Sequence, residues 1–270
     1  MLGTKIHTLE TLRQQIAALE TNPLLKDAAL VSVPAGLLAP PRGSVHEVFA
    51  DGPRDGGAAL GFAFAQARFM QEQNRQAVLF LQLRADAQEL GLPYGLGLGG
   101  FGLDAERLVY VRPETIAELL WAIEEAIACR AVAAVVADIA HPHKALDFIA
   151  SRRLSLRAAA SGASVLLVRY GREREASAAK YRWRVSPALS QPPPYDANAP
   201  GLPRWQVTLE KGSLGGRRKA APGGEVFLVD WTENGFERVD ADGRTGGARR
   251  AAAVSGAPSA ALGDRLSEAG

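Results

Sequence analysis

The residues from Gly52 to Ala59 have the spacing of a phosphate cradle without its chemistry. The loop pattern G-x-x-x-x-G-K-[ST] places a lysine ammonium on the β and γ phosphates and a hydroxyl on Mg²⁺. Gly52 and Gly57 hold the two glycine positions. Ala58 stands where the lysine belongs and Ala59 where the Ser/Thr belongs. An alanine methyl performs neither task. Asp55 also puts a negative charge where phosphates would sit. The spacing predicts a degenerate phosphate loop, kept for its shape, with no catalytic residue and no cofactor.

Asp138 closes the apolar run Ala133 to Ala137. A carboxylate at that point helps hold Mg²⁺ in nucleotide-hydrolysing folds, and it also commonly caps a turn. Beside a loop without lysine it reads as a remnant. The Val78 to Leu83 run ends in Arg84 and offers no glutamate to activate a water. His141-Pro142-His143 gives H-x-H spacing near Asp138, but Cys129 is the single thiol and His7 and His46 are distant in sequence. Zinc needs more ligands than that. No serine sits in a G-x-S-x-G elbow. Gly95-Leu96-Gly97-Leu98-Gly99-Gly100 satisfies G-x-G-x-x-G literally. No strand leads into it and Phe101-Gly102 follows where a helix should open, so it reads as a flexible loop.

The basic residues are more suggestive. Arg182 and Arg184 flank Trp183, and Lys211, Arg217, Arg218 and Lys219 crowd one glycine-rich hairpin. Basic loops with nearby aromatics can track a phosphate backbone. The competing reading is a solvated hairpin and ordinary sheet-surface charge. The chain of 270 residues has a formal net charge of +2, so affinity for a polyanion must come from local patches. One cysteine rules out an internal disulfide and suits a reducing compartment. Met1 to Glu20 has no apolar core of a secretory signal. No apolar run approaches the ~18 residues of a membrane span. A cytoplasmic protein with no membrane contact is expected.

These residues need elements to hold them. Ile6, Leu9, Leu12, Ile16 and Leu19 recur at helical spacing, so 1–22 reads as an amphipathic helix that packs on its own domain or docks on a partner. Residues 23–43 contain Pro23, Pro34, Pro40 and Pro41 and read as a linker, with at most a short strand at Leu30 to Val33. From 44 to 236 strands alternate with helices. The strands are Val45–Phe49, Gln76–Leu83, Leu108–Val111, Ala131–Ile139 and Ser164–Tyr170; the main helices are Gly57 to about Gln73, Pro113–Cys129 and Lys144–Ala160. That alternation predicts a mostly parallel sheet covered on both faces. Tyr181–Val185, Trp205–Glu210 and Val226–Trp231 alternate polar and apolar and read as antiparallel strands at the carboxyl-terminal edge. Residues 237–270 lack periodicity and read as a disordered tail.

This order of features resembles the RecA core from Val31 to Asp230: strand, Gly52-Pro53-x-x-x-Gly57, helix, a buried strand ending in Arg84, Phe101 to Val109, long helix, Val135-Val136-Ala137-Asp138, helix, Val165 to Val168, then the Trp183 and Trp205 strands. The resemblance implies an α/β fold with a RecA-like P-loop core. It fails at Ala58, Ala59, Arg84, and at Tyr170-Gly171, where RecA has a glutamine that senses the γ-phosphate. With Ser151-Arg152-Arg153-Leu154, Lys180 to Val185 and Pro203-Arg204-Trp205, the chain is similar to the ImuA family. The SulA division inhibitors, which bind FtsZ, are shorter relatives of the same design.

The ImuA resemblance implies a non-catalytic accessory role in SOS-induced error-prone translesion synthesis. The implied partners are an ImuB-type polymerase homologue and RecA, and indirectly an error-prone polymerase III alpha-type subunit. Leu9, Leu12, Ile16, Arg182, Arg184, Arg217, Arg218 and Lys219 are the candidate partner or DNA contacts. Three other readings stay open: a SulA-like FtsZ inhibitor, a weak RecA-type ATPase, and a DNA-binding module on Lys211 to Lys219.

Overall fold

The computed structural model of the chain describes Leu38 and residues 41–193, 195–214 and 224–239. One nine-stranded sheet forms its centre, in the order β3-β2-β4-β5-β1-β6-β7-β8-β9. The strands are β1 (Val45–Ala50), β2 (Ala77–Gln82), β3 (Leu108–Val111), β4 (Val132–Ile139), β5 (Ser164–Tyr170), β6 (Tyr181–Pro187), β7 (Arg204–Lys211), β8 (Glu225–Thr232) and β9 (Gly235–Arg238). The helices are α1 (Gly56–Met70), α2 (Arg84–Leu90), α3 (Gly95–Gly99), α4 (Ile116–Ala128) and α5 (Phe148–Ser161).

The near-continuous apolar runs became parallel strands. β1 and β4 are buried at every position, as strands covered on both faces must be. β1 lies between β5 and β6 and is parallel to both. β7, β8 and β9 follow antiparallel. The expected mostly parallel sheet with an antiparallel carboxyl-terminal edge is therefore present. Tyr181–Val185 differs in one respect, because β6 joins the sheet parallel to β1 before β7 turns back on it. Residues 171–180 carry the chain back along the sheet to allow this, starting from Gly171 N–H on the Ala50 carbonyl and ending with Lys180 N–H on that of Val45.

α1 is the helix on which one face of the sheet is built. It is buried on most of its circumference, the expected state of a helix that is apolar all round. Its small residues, among them Ala59, Ala63 and Ala67, let it approach the strands closely. Phe62 stands at its middle, with ring centroids 5.6 Å from Trp183, 6.1 Å from Trp205 and 5.3 Å from Phe236. Such aromatic pairs contribute about 0.5–1.5 kcal/mol each beyond their buried area. α4 and α5 cover the opposite face through Leu119, Ile123, Ile127 and Leu154.

The helix ends follow their caps. α4 starts at Ile116 because Thr115 Oγ1 accepts from Glu118 N–H at 3.2 Å while Glu118 Oε2 accepts from Glu114 N–H at 2.9 Å. α5 starts at Phe148 because Asp147 accepts from Ala150 N–H at 2.8 Å. It stops at Gly162, whose φ of +83° suits glycine. The glycine-rich stretch expected to be a flexible loop instead contains the single turn α3. Leu98 is buried there, and Gly100 accepts from the Trp231 indole N–H at 2.8 Å.

The fold also holds the outermost described residues. Leu38, within the expected linker, is fully buried, and its carbonyl accepts from Gln66 Nε2 at 2.6 Å. At the other end β9 continues past Phe236 to Arg238, and Val239 N–H still bonds the Leu228 carbonyl at 2.9 Å.

Candidate functional site

β1, the following turn and α1 form the strand–turn–helix expected around Gly52. Gly52 has extended backbone, Pro53–Asp55 make one 3-10 turn, and α1 begins at Gly56. Gly57 and Ala58 are the next residues of that helix. Ala59 is fully buried in the core beneath α1. Its methyl therefore belongs to the core and not to a ligand site.

A tyrosine occupies the space in front of the loop. Tyr170 ends β5 and is registered beside Ala50 of β1. Its ring lies so close to α1 that a Cβ on Gly56 would stand 2.8 Å from the ring edge. Its hydroxyl donates to Asp138 Oδ1 at 2.8 Å. The other oxygen, Oδ2, accepts from Gln82 Nε2 at 3.0 Å. Gln82 Oε1 accepts in turn from the Tyr110 hydroxyl at 2.9 Å. Parallel register sets this up, since Gln82 of β2 lies beside Asp138 of β4. The chain Tyr110–Gln82–Asp138–Tyr170 thus crosses the ends of four strands.

The electrostatics fit a closed carboxylate. Burial pushes Asp138 up to about 6, against the pull of the Tyr170 and Gln82 hydrogen bonds, and nearby Asp86 adds to the rise. Burial, and then Asp138 itself, push the Tyr170 hydroxyl well above its ordinary range. Each Asp138 oxygen accepts from one protein donor. Arg84, singled out in the sequence at the end of the Val78 to Leu83 run, points to the surface and pairs with Glu114 at 2.7 Å. His141 pairs with Glu89 at 3.2 Å. Among the described residues no group of three or more His, Cys, Asp or Glu side chains could hold a metal ion.

The arginines flanking Trp183 sit apart from Asp138, on the charged side of β1, β5 and β6. Arg182 lies directly beside Glu47 in the β1–β6 register and donates to Glu47 Oε2 from Nε at 2.9 Å and Nη2 at 2.8 Å. Arg169 approaches the other oxygen of Glu47 at 3.3 Å and also holds Glu175 at 2.7 Å. Arg184 is more open and lies 3.5 Å from Glu210 and 3.8 Å from Asp51. Trp183 points the other way and is fully buried. Its indole N–H donates to His46 Nδ1 at 3.3 Å. The histidine is therefore the Nε2–H tautomer, and that proton goes to Ser44 Oγ at 2.9 Å. Burial pulls His46 down to about 3, so the ring is neutral.

Of the candidate residues, the structure thus brings Gly52, Gly57, Ala58, Ala59 and Asp138 to one end of the sheet. It ties Arg182 to a buried glutamate. Leu9, Leu12, Ile16, Arg217, Arg218 and Lys219 lie outside the described residues. Sequence reasoning missed Tyr170 as the group that occupies the loop, Gln82 as the second donor, and Glu47 as the partner of two arginines. Tyr170 stood at a position singled out for its missing glutamine, which was the one available signal.

The fold and site define a mixed-sheet α/β protein with a lysine-free strand–turn–helix and a carboxylate sealed by a tyrosine. No protein-family model matches the chain. It is 38% identical over 207 residues to Protein ImuA of Caulobacter vibrioides (strain NA1000 / CB15N), an alignment covering 72% of this chain and 78% of that protein. The same figures hold for Protein ImuA of Caulobacter vibrioides (strain ATCC 19089 / CIP 103742 / CB 15). The chain belongs to the ImuA family.

Proposed function

We propose that the chain is a non-catalytic, RecA-like accessory protein of SOS-induced error-prone translesion synthesis. It acts in the cytoplasm by binding an ImuB-type polymerase homologue, RecA, or both, and so recruits the mutagenic polymerase. Family membership supports the system. The observation that carries the non-catalytic reading is the Tyr170 hydroxyl on Asp138, with its ring against Gly56. An NTPase needs that carboxylate for metal and that space for phosphate. Here an aromatic side chain takes both, beside Ala58 and Ala59.

The RecA-like reading draws support from β1 standing between β5 and β6 with α1 rising from its end. On that reading the chain's Leu9–Leu12–Ile16 stripe packs on a RecA-type protomer, capping or entering an assembly, and other surfaces hold the polymerase. The test is co-purification of RecA and the ImuB-type protein with the full chain and with a Leu9→Ser, Leu12→Ser, Ile16→Ser variant. The reading expects at least one partner to be retained by the full chain and the RecA contact to weaken in the variant. Retention of neither partner by the full chain would overturn it.

A further inference from the structure

The outer surface of α4 and α5 carries an apolar strip that no described segment covers. Trp121 of α4 is 66% exposed, and Ile149 and Leu156 of α5 are 71% and 64% exposed. Trp121 is the one tryptophan of four that is not buried. Trp121 lies on one side of the seam between the helices, and Ile149 and Leu156 lie on the other. Glu124 holds Arg153 and Arg157 from α5, with Arg157 at 3.3 Å, and so fixes how the two helices lie side by side. Trp121 is about one turn before Glu124, and Ile149 about one turn before Arg153, so the two stand at the same level.

The edges of the strip carry opposite charge. At 100° per residue, Glu125 projects on the α4 edge away from α5, and Arg152 projects on the α5 edge away from α4. Both are exposed, and neither has an ion-pair partner among the described residues. Glu124, Arg153 and Arg157 neutralise one another in the middle. The pattern across the surface is therefore acid, apolar, ion-paired seam, apolar, base.

That pattern is complementary to itself. A two-fold axis lying in the interface and parallel to the helices places α4 of one copy over α5 of the other. Each Glu125 then faces the partner's α5 edge, about one turn from Arg152, within reach of the two side chains. Trp121 of each copy meets Ile149 and Leu156 of the other in the same operation. A two-fold axis perpendicular to the helices would instead set like charges together. The terminal segments outside the described residues fit the strip less well. Residues 1–37 carry Lys5, Arg13 and Lys26 against Glu10, Glu20 and Asp27, and residues 240–270 carry four cations and four anions, so each is neutral.

We propose that the α4–α5 face is the seat of a second copy of this chain, forming an isologous dimer. Two helices each ~20 Å long and ~10 Å wide offer a footprint of about 400 Å² per copy, roughly half of a standard interface. The dimer is therefore weak, and concentration drives it.

Sedimentation velocity of the full chain from about 1 to 500 μM spans the range expected for an interface of that size. The expected result is a monomer–dimer exchange in the micromolar range, with Trp121 emission moving to the blue as dimer forms. Leu156→Glu, at an exposed site, abolishes it. Arg152→Glu and Glu125→Arg each weaken it by roughly tenfold, since each replaces a facing opposite charge by a like one. The double variant restores it to within about threefold, because the swapped charges face one another again. A monomer at every concentration overturns the proposal, as does a dimer indifferent to Leu156→Glu, or a double variant no better than either single one.

Discussion

Replacing Asp138 by Asn tests whether the sealed carboxylate is structural. Asp138 is buried and its folded value is about 6 against an ordinary 3.8. A carboxyl with a raised folded value binds its proton more tightly in the folded state. The resulting stabilisation is complete below about 3.8 and is lost as pH rises through about 6. At about 1.4 kcal/mol for each tenfold change in proton affinity, the loss comes to about 3 kcal/mol. Asn carries no charge to bury and can keep both neighbours: Tyr170 donates to its oxygen, and Gln82 turns over to accept from its NH₂. The Tyr110 hydroxyl then accepts instead of donating. Urea unfolding of both proteins from pH 4.5 to 8 reads the difference. His46 is present in both and cancels. Asp138→Asn is expected to match the natural protein within about 1 kcal/mol at pH 4.5 and to exceed it by about 1–3 kcal/mol at pH 8, with most of the change complete by about pH 6. A variant less stable at pH 8, or a gap that does not change with pH, would refute the reasoning.

Other perturbations follow the same physics. His46 is held neutral with its value near 3, below the ordinary 6.5, so its contribution is complete above 6.5 and is lost as pH falls toward 3. The natural protein should lose up to about 5 kcal/mol across that window, an acid limb that His46→Gln flattens in urea titrations. Glu47→Gln leaves the half-buried Arg182 without its carboxylate and should cost about 1–3 kcal/mol by the same measurement, Arg169 keeping Glu175. Gly56→Ala drives a methyl into the Tyr170 ring and should cost about 1–3 kcal/mol. Combined with Tyr170→Phe it should cost less than the sum, because both changes release the same hydrogen bond to Asp138; additive losses would contradict that coupling. Mg·ATP should give no calorimetric binding at micromolar concentrations. The absent lysine and hydroxyl each remove charge-assisted contacts of about 1.5–3 kcal/mol.

Much of the sheet was legible because each strand announces itself locally. Leu108–Val111 and Ser164–Tyr170 emerged with the bounds expected from their apolar runs. Helix starts were less legible, because apolar spacing continues past a cap. Apolar spacing puts the starts at Pro113 and Lys144, whereas Thr115 and Asp147 set them a few residues later through side-chain bonds to the backbone. The parallel pairing of β6 was hidden because alternation reports a half-covered face and says nothing of direction. The strand–turn–helix at Gly52 could be read from spacing, but the tyrosine that packs against it could not. Tyr170 is more than a hundred residues from Gly56, and only the β1–β5 register brings it there. Arg182 looked like a surface cation for the same reason. Its partner Glu47 lies across a strand pair, inside a run that reads as buried strand.

On the proposed function the chain works by its surfaces and without nucleotide. Biolayer interferometry with the full chain immobilised and the purified ImuB-type protein in solution, with and without Mg·ATP, tests it most directly. The expected result is a complex whose affinity is the same in both buffers. Absence of binding, or binding that arises only with Mg·ATP, would contradict it.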